Sequence, residues 1–316
     1  MDHQTAADII ACLPRDRTLF HYYRDRYSIG LLRQLARVPL SVTELKRTPF
    51  ASLAQKPRVK TVLAQLGRDQ LTEMHFALHD YDPAQTPFIL TLDLWGSDLT
   101  RQSRYKQTSR RGYNLVLQLN FCKRHDQLFQ GLGDEHDIFN DRSHPTSTRR
   151  NTLAWARIDL DFDSGTALIE EIQSDWISDV AWLARAAERK FAGRPDPNQI
   201  TRLWGLKCTL RTTLDYCHFV LDRYQPIWAE ATLWAALHFL RDELGLRRVY
   251  YHTTESGRLL KKIDGSLPPS SLYTDLPRRF CFAKTDDAPA FVAQDRHACA
   301  VLKKHPHMKF HLMELN

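Results

Sequence analysis

Apolar and polar positions alternate with a period of two over 114–121 and 153–161, the pattern of half-buried strands. The stretch 88–95 is a further strand, and 166–173 is rich in β-branched and apolar residues. The turn sequence Phe162-Asp163-Ser164-Gly165 joins 153–161 to 166–173 as a hairpin. After Asp175 the spacing lengthens to three and four (Ile177, Val180, Ala184, Ala187), which predicts a helix ending at Gly193. Pro226 opens a second amphipathic helix, with Leu233, Leu237, Leu240 and Leu244 on one stripe and Gly245 as its stop. Beyond it the pattern predicts strands at 248–253, 279–283 and 307–312 and helices at 256–263 and 288–302. Upstream, 18–37 and 56–66 read as helical, and Ser41 with Glu44 completes a capping box.

That order predicts an α/β (α+β) protein: a mixed, largely antiparallel sheet with flanking helices, plus a helical N-terminal segment. Residues 1–85 form the basic helical segment, which fits a winged helix-turn-helix and a plain helical cap equally. Residues 86–316 form the α/β domain, with a helical insertion at 177–225.

Charge adds an asymmetry to this picture. Residues 1–125 hold 19 Lys/Arg against 11 Asp/Glu, whereas 126–316 hold 25 against 26. A basic first part points to an anionic partner, nucleic acid or a phosphorylated small molecule, with simple solubility as the alternative. The densest run is 101–113, where Arg101, Arg104, Lys106, Arg110 and Arg111 stand with two tyrosines and no acid. Such a run suits phosphate binding with base stacking, or a solvated loop. No apolar run is long enough for a membrane span, the first residues lack the shape of a signal peptide, and six scattered cysteines suit a reducing cytoplasm. Nothing in the pattern sets the oligomeric state.

The densest chemistry lies in Glu170-Glu171-Ile172-Gln173-Ser174-Asp175-Trp176. Strand alternation puts Glu171, Gln173 and Asp175 on one face and Glu170 and Ser174 on the other. Carboxylates in a buried strand are costly unless paired, protonated or used. On the preceding arm Asp159 and Asp161 share a face. The polar stretch 122–150, with His125, Asp134, Glu135, His136, Asp137, Asp141 and His144, suggests a metal site, but its spacing matches no standard ligand pattern and it reads as a surface loop.

The order of elements resembles that of the GNAT-type N-acyltransferases over roughly 114–285. The resemblance implies an acyl-CoA cofactor held by the helix after the fourth strand (169–172), with Tyr273 as general acid. The chain departs from that pattern where a glycine-containing pyrophosphate loop belongs: 174–179 has no glycine and two acids. The segment 170–176 also resembles the signature of an uncharacterised domain of large polyvalent proteins of phages and other mobile elements, which implies homology and no particular reaction.

Three functions follow. The first is group transfer of the N-acyltransferase type, with Glu171 or Asp175 as base, Gln173 beside them and Tyr273 as acid. The second is a non-catalytic nucleic-acid- or protein-binding module, in which the acids and Gln173 form a satisfied hydrogen-bond network. The third is a Mg²⁺-dependent nuclease of PD-(D/E)xK type, with Asp159, Asp161 and Glu171 on the metal and Gln173 where a lysine belongs.

Overall fold

The computed structural model describes residues 1–12, 18–67, 69–97, 107–133, 138–141, 143–193, 196–263 and 269–315. Arg101, Arg104 and Lys106 lie outside them. The fold is mixed α/β, with eight strands in the order β1-β2-β3-β4-β5-β8-β10-β9. The first five are an antiparallel meander: β1 (Thr18–Tyr22), β2 (Thr86–Ser97), β3 (Gly112–Asn120), β4 (Thr152–Asp161) and β5 (Thr166–Gln173). β8 (Arg248–His252) joins β5 in parallel, and β10 (Phe310–Glu314) and β9 (Ala283–Thr285) continue antiparallel. The hairpin closes at Gly165, whose φ of 62° is the left-handed conformation that glycine adopts at little cost.

Helix α9 (Trp228–His238) lies across β3, β4 and β5 on one face, where Ala156, Ile158, Ile169 and Ile172 join a single large core. The other face carries a smaller cluster built on Leu168, Tyr250 and Phe310. The helix after β5, α7 (Asp175–Ala192), is started by Ser174, whose side chain accepts from the Ile177 amide. Gly30 in α2 (Arg26–Leu35) allows that helix to meet α9: a Cβ there would come within 2.2 Å of the Trp234 ring.

Three expectations are corrected. The stretch 18–22 is a strand, because it pairs with the β2 edge from Thr18 opposite Leu90 to Tyr22 opposite Thr86, so the sheet reaches into the N-terminal part. The insertion contains a β hairpin, β6 (Ile200–Leu203) with β7 (Leu206–Thr209), ahead of α8 (Leu210–Tyr224). The strand expected at 279–283 is instead the end of α11 (Asp275–Arg279), followed by a turn with Cys281 at φ 65°; pairing resumes only at Ala283. Glu230 of α9 ties the N-terminal part down: it accepts from the Tyr22 hydroxyl and the Asp25 amide and forms an ion pair with Arg279.

Candidate functional site at the end of strand β5

The register of the hairpin shifts between Arg157 and Ile158. Asp159 faces Leu168, but Arg157 faces Glu171, so Glu170 is an extra residue on β5. Residues directly opposite in an antiparallel pair point the same way. Trp155, Arg157 and Asp159 therefore share a face with Gln173, Glu171 and Leu168. The bulge breaks the strict alternation expected across 170–175.

β5 and β8 pair only from Thr166 with Arg248 to Ile169 with Tyr251. Beyond that point the strands part, and a polar network fills the fork. Lys261, the last residue of α10 (Thr254–Lys261), donates to the Glu170 main-chain carbonyl at 2.9 Å and lies 3.3 Å from the Glu171 carboxylate. Arg157 meets the same Glu171 oxygen at 2.6 Å. Burial works against ionisation of Glu171, but Arg157 and Lys261 outweigh it and hold its carboxyl at about 2. Glu170 is fully buried and clamps Ser109, taking its amide at 3.0 Å and its hydroxyl at 2.7 Å. His252 lies 3.1 Å from Glu170, and burial keeps its pKa below the usual imidazole value.

Glu171 is thus fixed as a structural anion and is a poor base. Tyr273 packs in the core at 6.1 Å from the Tyr251 ring, with the Lys261 ammonium 5.9 Å from its own ring. At 2 % exposure it does not reach an open surface, and burial raises its hydroxyl pKa. The structure brings Glu171 and Tyr273 near one another, but as parts of a filled fork.

Asp175 and Gln173 lie elsewhere, at the mouth of β5, where they meet His144, a residue the sequence placed in a surface loop. His144 Nδ1 is 2.5 Å from Asp175 Oδ2, and Gln173 Nε2 donates to Asp175 Oδ1 at 3.0 Å. A carboxylate only accepts, so Nδ1 carries the proton and Nε2 is left as the basic nitrogen. The Asp175 hydrogen bond raises the His144 pKa, against a smaller opposing effect of burial. The imidazole is 38 % exposed and packs 5.6 Å from the Trp155 ring, whose buried indole N–H has no acceptor. Asp141 lies 3.9 Å from His144 Nδ1, and Asp179 sits one turn along α7 from Asp175. Burial, with Asp175 and Asp141 close by, pushes the Asp179 carboxyl up to about 6.

Of the remaining candidates among the described residues, Arg111 is exposed to solvent, and the others are engaged locally. Arg110 binds Asp159 through two nitrogens, at 2.6 and 2.9 Å, and its guanidinium stacks on Phe291. Asp161 accepts from the Ser164 amide and hydroxyl in the hairpin turn. Asp159, Asp161 and Glu171 are each engaged separately, and no group of three metal-ligating side chains occurs among the described residues. The acyl-CoA expectation meets a similar obstacle. The α7 N-terminus is already capped by Ser174 and is flanked by Asp141, Asp175 and Asp179, a setting that repels a pyrophosphate. The residues present do not fit that cofactor at that helix.

Among the described residues no helix is long and apolar enough to cross a membrane. Comparison with protein-family models, with curated proteins and with solved structures gives no match.

Proposed function

We propose that the protein is a group-transfer enzyme in which His144, oriented by Asp175, is the general base at the acidic end of β5. The observation that carries this reading is the 2.5 Å contact between His144 Nδ1 and Asp175 on a half-exposed imidazole. One carboxylate fixes the tautomer and tilts the ring, and Nε2 faces the substrate side. Asp141 and Asp179 give the surroundings a negative potential, which favours a cationic acceptor such as a primary amine. The bound ammonium first releases one proton to solvent; as the resulting neutral nitrogen attacks an acyl carbon, a C–N bond forms and the bond to the leaving group breaks. The proton lost from nitrogen passes to His144 Nε2 and then to the leaving group. This keeps the N-acyltransferase type of chemistry, moves the base from Glu171 to His144, and assigns no donor to the α7 N-terminus.

A panel of primary amines with activated acyl esters tests it. Acyl-amine formation lost by about 10²-fold or more in His144→Ala, with folding intact, is the expected result. Turnover unchanged in that variant would sink the assignment.

A second reading, the non-catalytic binding module, draws on the fork itself, where Glu170 and Glu171 are satisfied by Ser109, His252, Arg157 and Lys261. Wild-type inertness toward the whole panel would favour it.

A further inference from the structure

A cleft of about 1160 Å³ opens between the N-terminal helices, the first three strands, the segment 147–150 that follows His144, and the end of α9. Six arginines line it: Arg26, Arg33, Arg37, Arg149, Arg150 and Arg241. Three are neutralised locally, Arg26 by Asp80, Arg33 by Glu73 and Arg241 by Asp242, at 2.8, 2.8 and 2.6 Å. Arg37, Arg149 and Arg150 have no ion-pair partner among the described residues, and the cleft's remaining carboxylates are Asp93 and Glu243. Asp93 is already engaged by the Leu94 amide at 2.8 Å. Arg241 adds a second sign of an unmet ligand, because its Nη1 is buried with no acceptor. That residue lies in a single π-helical turn, Phe239–Glu243, which widens the end of α9 where it borders the cleft.

We infer that this cleft binds single-stranded nucleic acid through its phosphates. Guanidinium forks from three separate parts of the chain converge on one concavity, the arrangement that planar, bidentate phosphate recognition uses. Leu19 and Tyr81, 57 % and 64 % exposed, provide apolar and aromatic surface beside those cations on which bases stack. The volume exceeds the roughly 300–1,000 Å³ typical of small-molecule pockets, so a few linked nucleotides fill it better than one. His144 itself is not among the lining residues, and the binding inferred here does not depend on its chemistry.

The test is fluorescence anisotropy of a labelled oligo(dT) and oligo(rU) of about a dozen nucleotides, with AMP as competitor, over a salt series. Wild type is expected to bind at low salt, and Arg149→Ala/Arg150→Ala to weaken binding about tenfold or more. The same double variant should flatten the log–log salt slope by about 1.4, two phosphate contacts at roughly 0.7 each. Lys303→Ala/Lys304→Ala, on the exposed last turn of α13 (Arg296–Lys304), should leave both quantities unchanged. An equal loss in both double variants, or no binding by wild type, overturns the site. AMP binding as tightly as the oligonucleotide overturns the assignment to a strand.

Discussion

Glu171 and Asp175 are four residues apart in one signature and do opposite jobs. Glu171 is buried between Arg157 and Lys261, with its charge fully spent on its neighbours. Asp175 is partly open to solvent and touches one imidazole, whose other nitrogen remains available. The difference arises from where the strand ends. Up to Gln173 the chain is inside the sheet, and a charge survives there only with countercharges supplied by β4 and α10. At Ser174 the helix begins, the backbone leaves the sheet, and the same residue type becomes accessible to protons and substrate. The segment 170–176 thus divides into a first half that is buried and neutralised and a second half that opens to solvent beside His144.

The largest effect that could break this comparison is on stability. Glu171→Ala leaves Arg157 and Lys261 buried without their carboxylate and should cost about 3–5 kcal/mol in urea unfolding; a loss under about 1 kcal/mol would mean that the fork is not a structural element. The low pKa of Glu171 makes the same contribution pH-dependent. Its folded value lies below the unfolded one, so the stabilisation is present above about pH 4.5 and disappears as pH falls toward 2. A denaturation midpoint that is flat over that window would contradict it.

Asp175→Asn should lower turnover on any amine substrate by about 10²-fold or more while changing stability by under about 1 kcal/mol. It should also move the His144 titration, followed by NMR, downward, because the carboxylate is what raises it. In the wild type catalysis needs neutral His144, so along the acid limb activity should rise with pH through a value above that of a free imidazole. An acid-limb pKa unchanged in Asp175→Asn would separate the two residues functionally.

The smallest effect concerns Asp179. Its folded pKa of about 6 is raised, so its ionised form opposes folding at neutral pH, and that penalty fades as pH falls from about 6 toward the unfolded value of 3.8, below which it is gone. Asp179→Asn should stabilise by about 1 kcal/mol at pH 7, allowing for solvent screening, and by nothing at pH 3.5. Destabilisation at pH 7 would show that Asp179 has a partner of its own.

Much of the fold was legible because its signals are local. The hairpin, α7, α9 and the Ser41–Glu44 box depend on period, turn chemistry and capping within a few residues. The site was legible only in part. Gln173 and Asp175, expected on one face at the strand end, are hydrogen-bonded there, whereas Glu171, picked out for its composition, and Tyr273, implied by the resemblance, lie in a filled core. His144 was passed over because a polar loop offers no period, and its partner is 31 residues away. Lys261 was invisible for the same reason, 90 residues from Glu171.

The bulge at Glu170 marks the limit most clearly. Counting back from the turn, an unbroken hairpin pairs Arg157 with Glu170, and every facing assigned by alternation follows from that count. One extra residue moves Arg157 to Glu171 and frees Glu170 to hold Ser109. Sequence alone determined which segments are strands and helices, and that acids crowd the end of β5, since these are properties of neighbouring residues. Which acid is neutralised and which stays open to solvent was decided by tertiary structure, because countercharge and burial come from residues far along the chain.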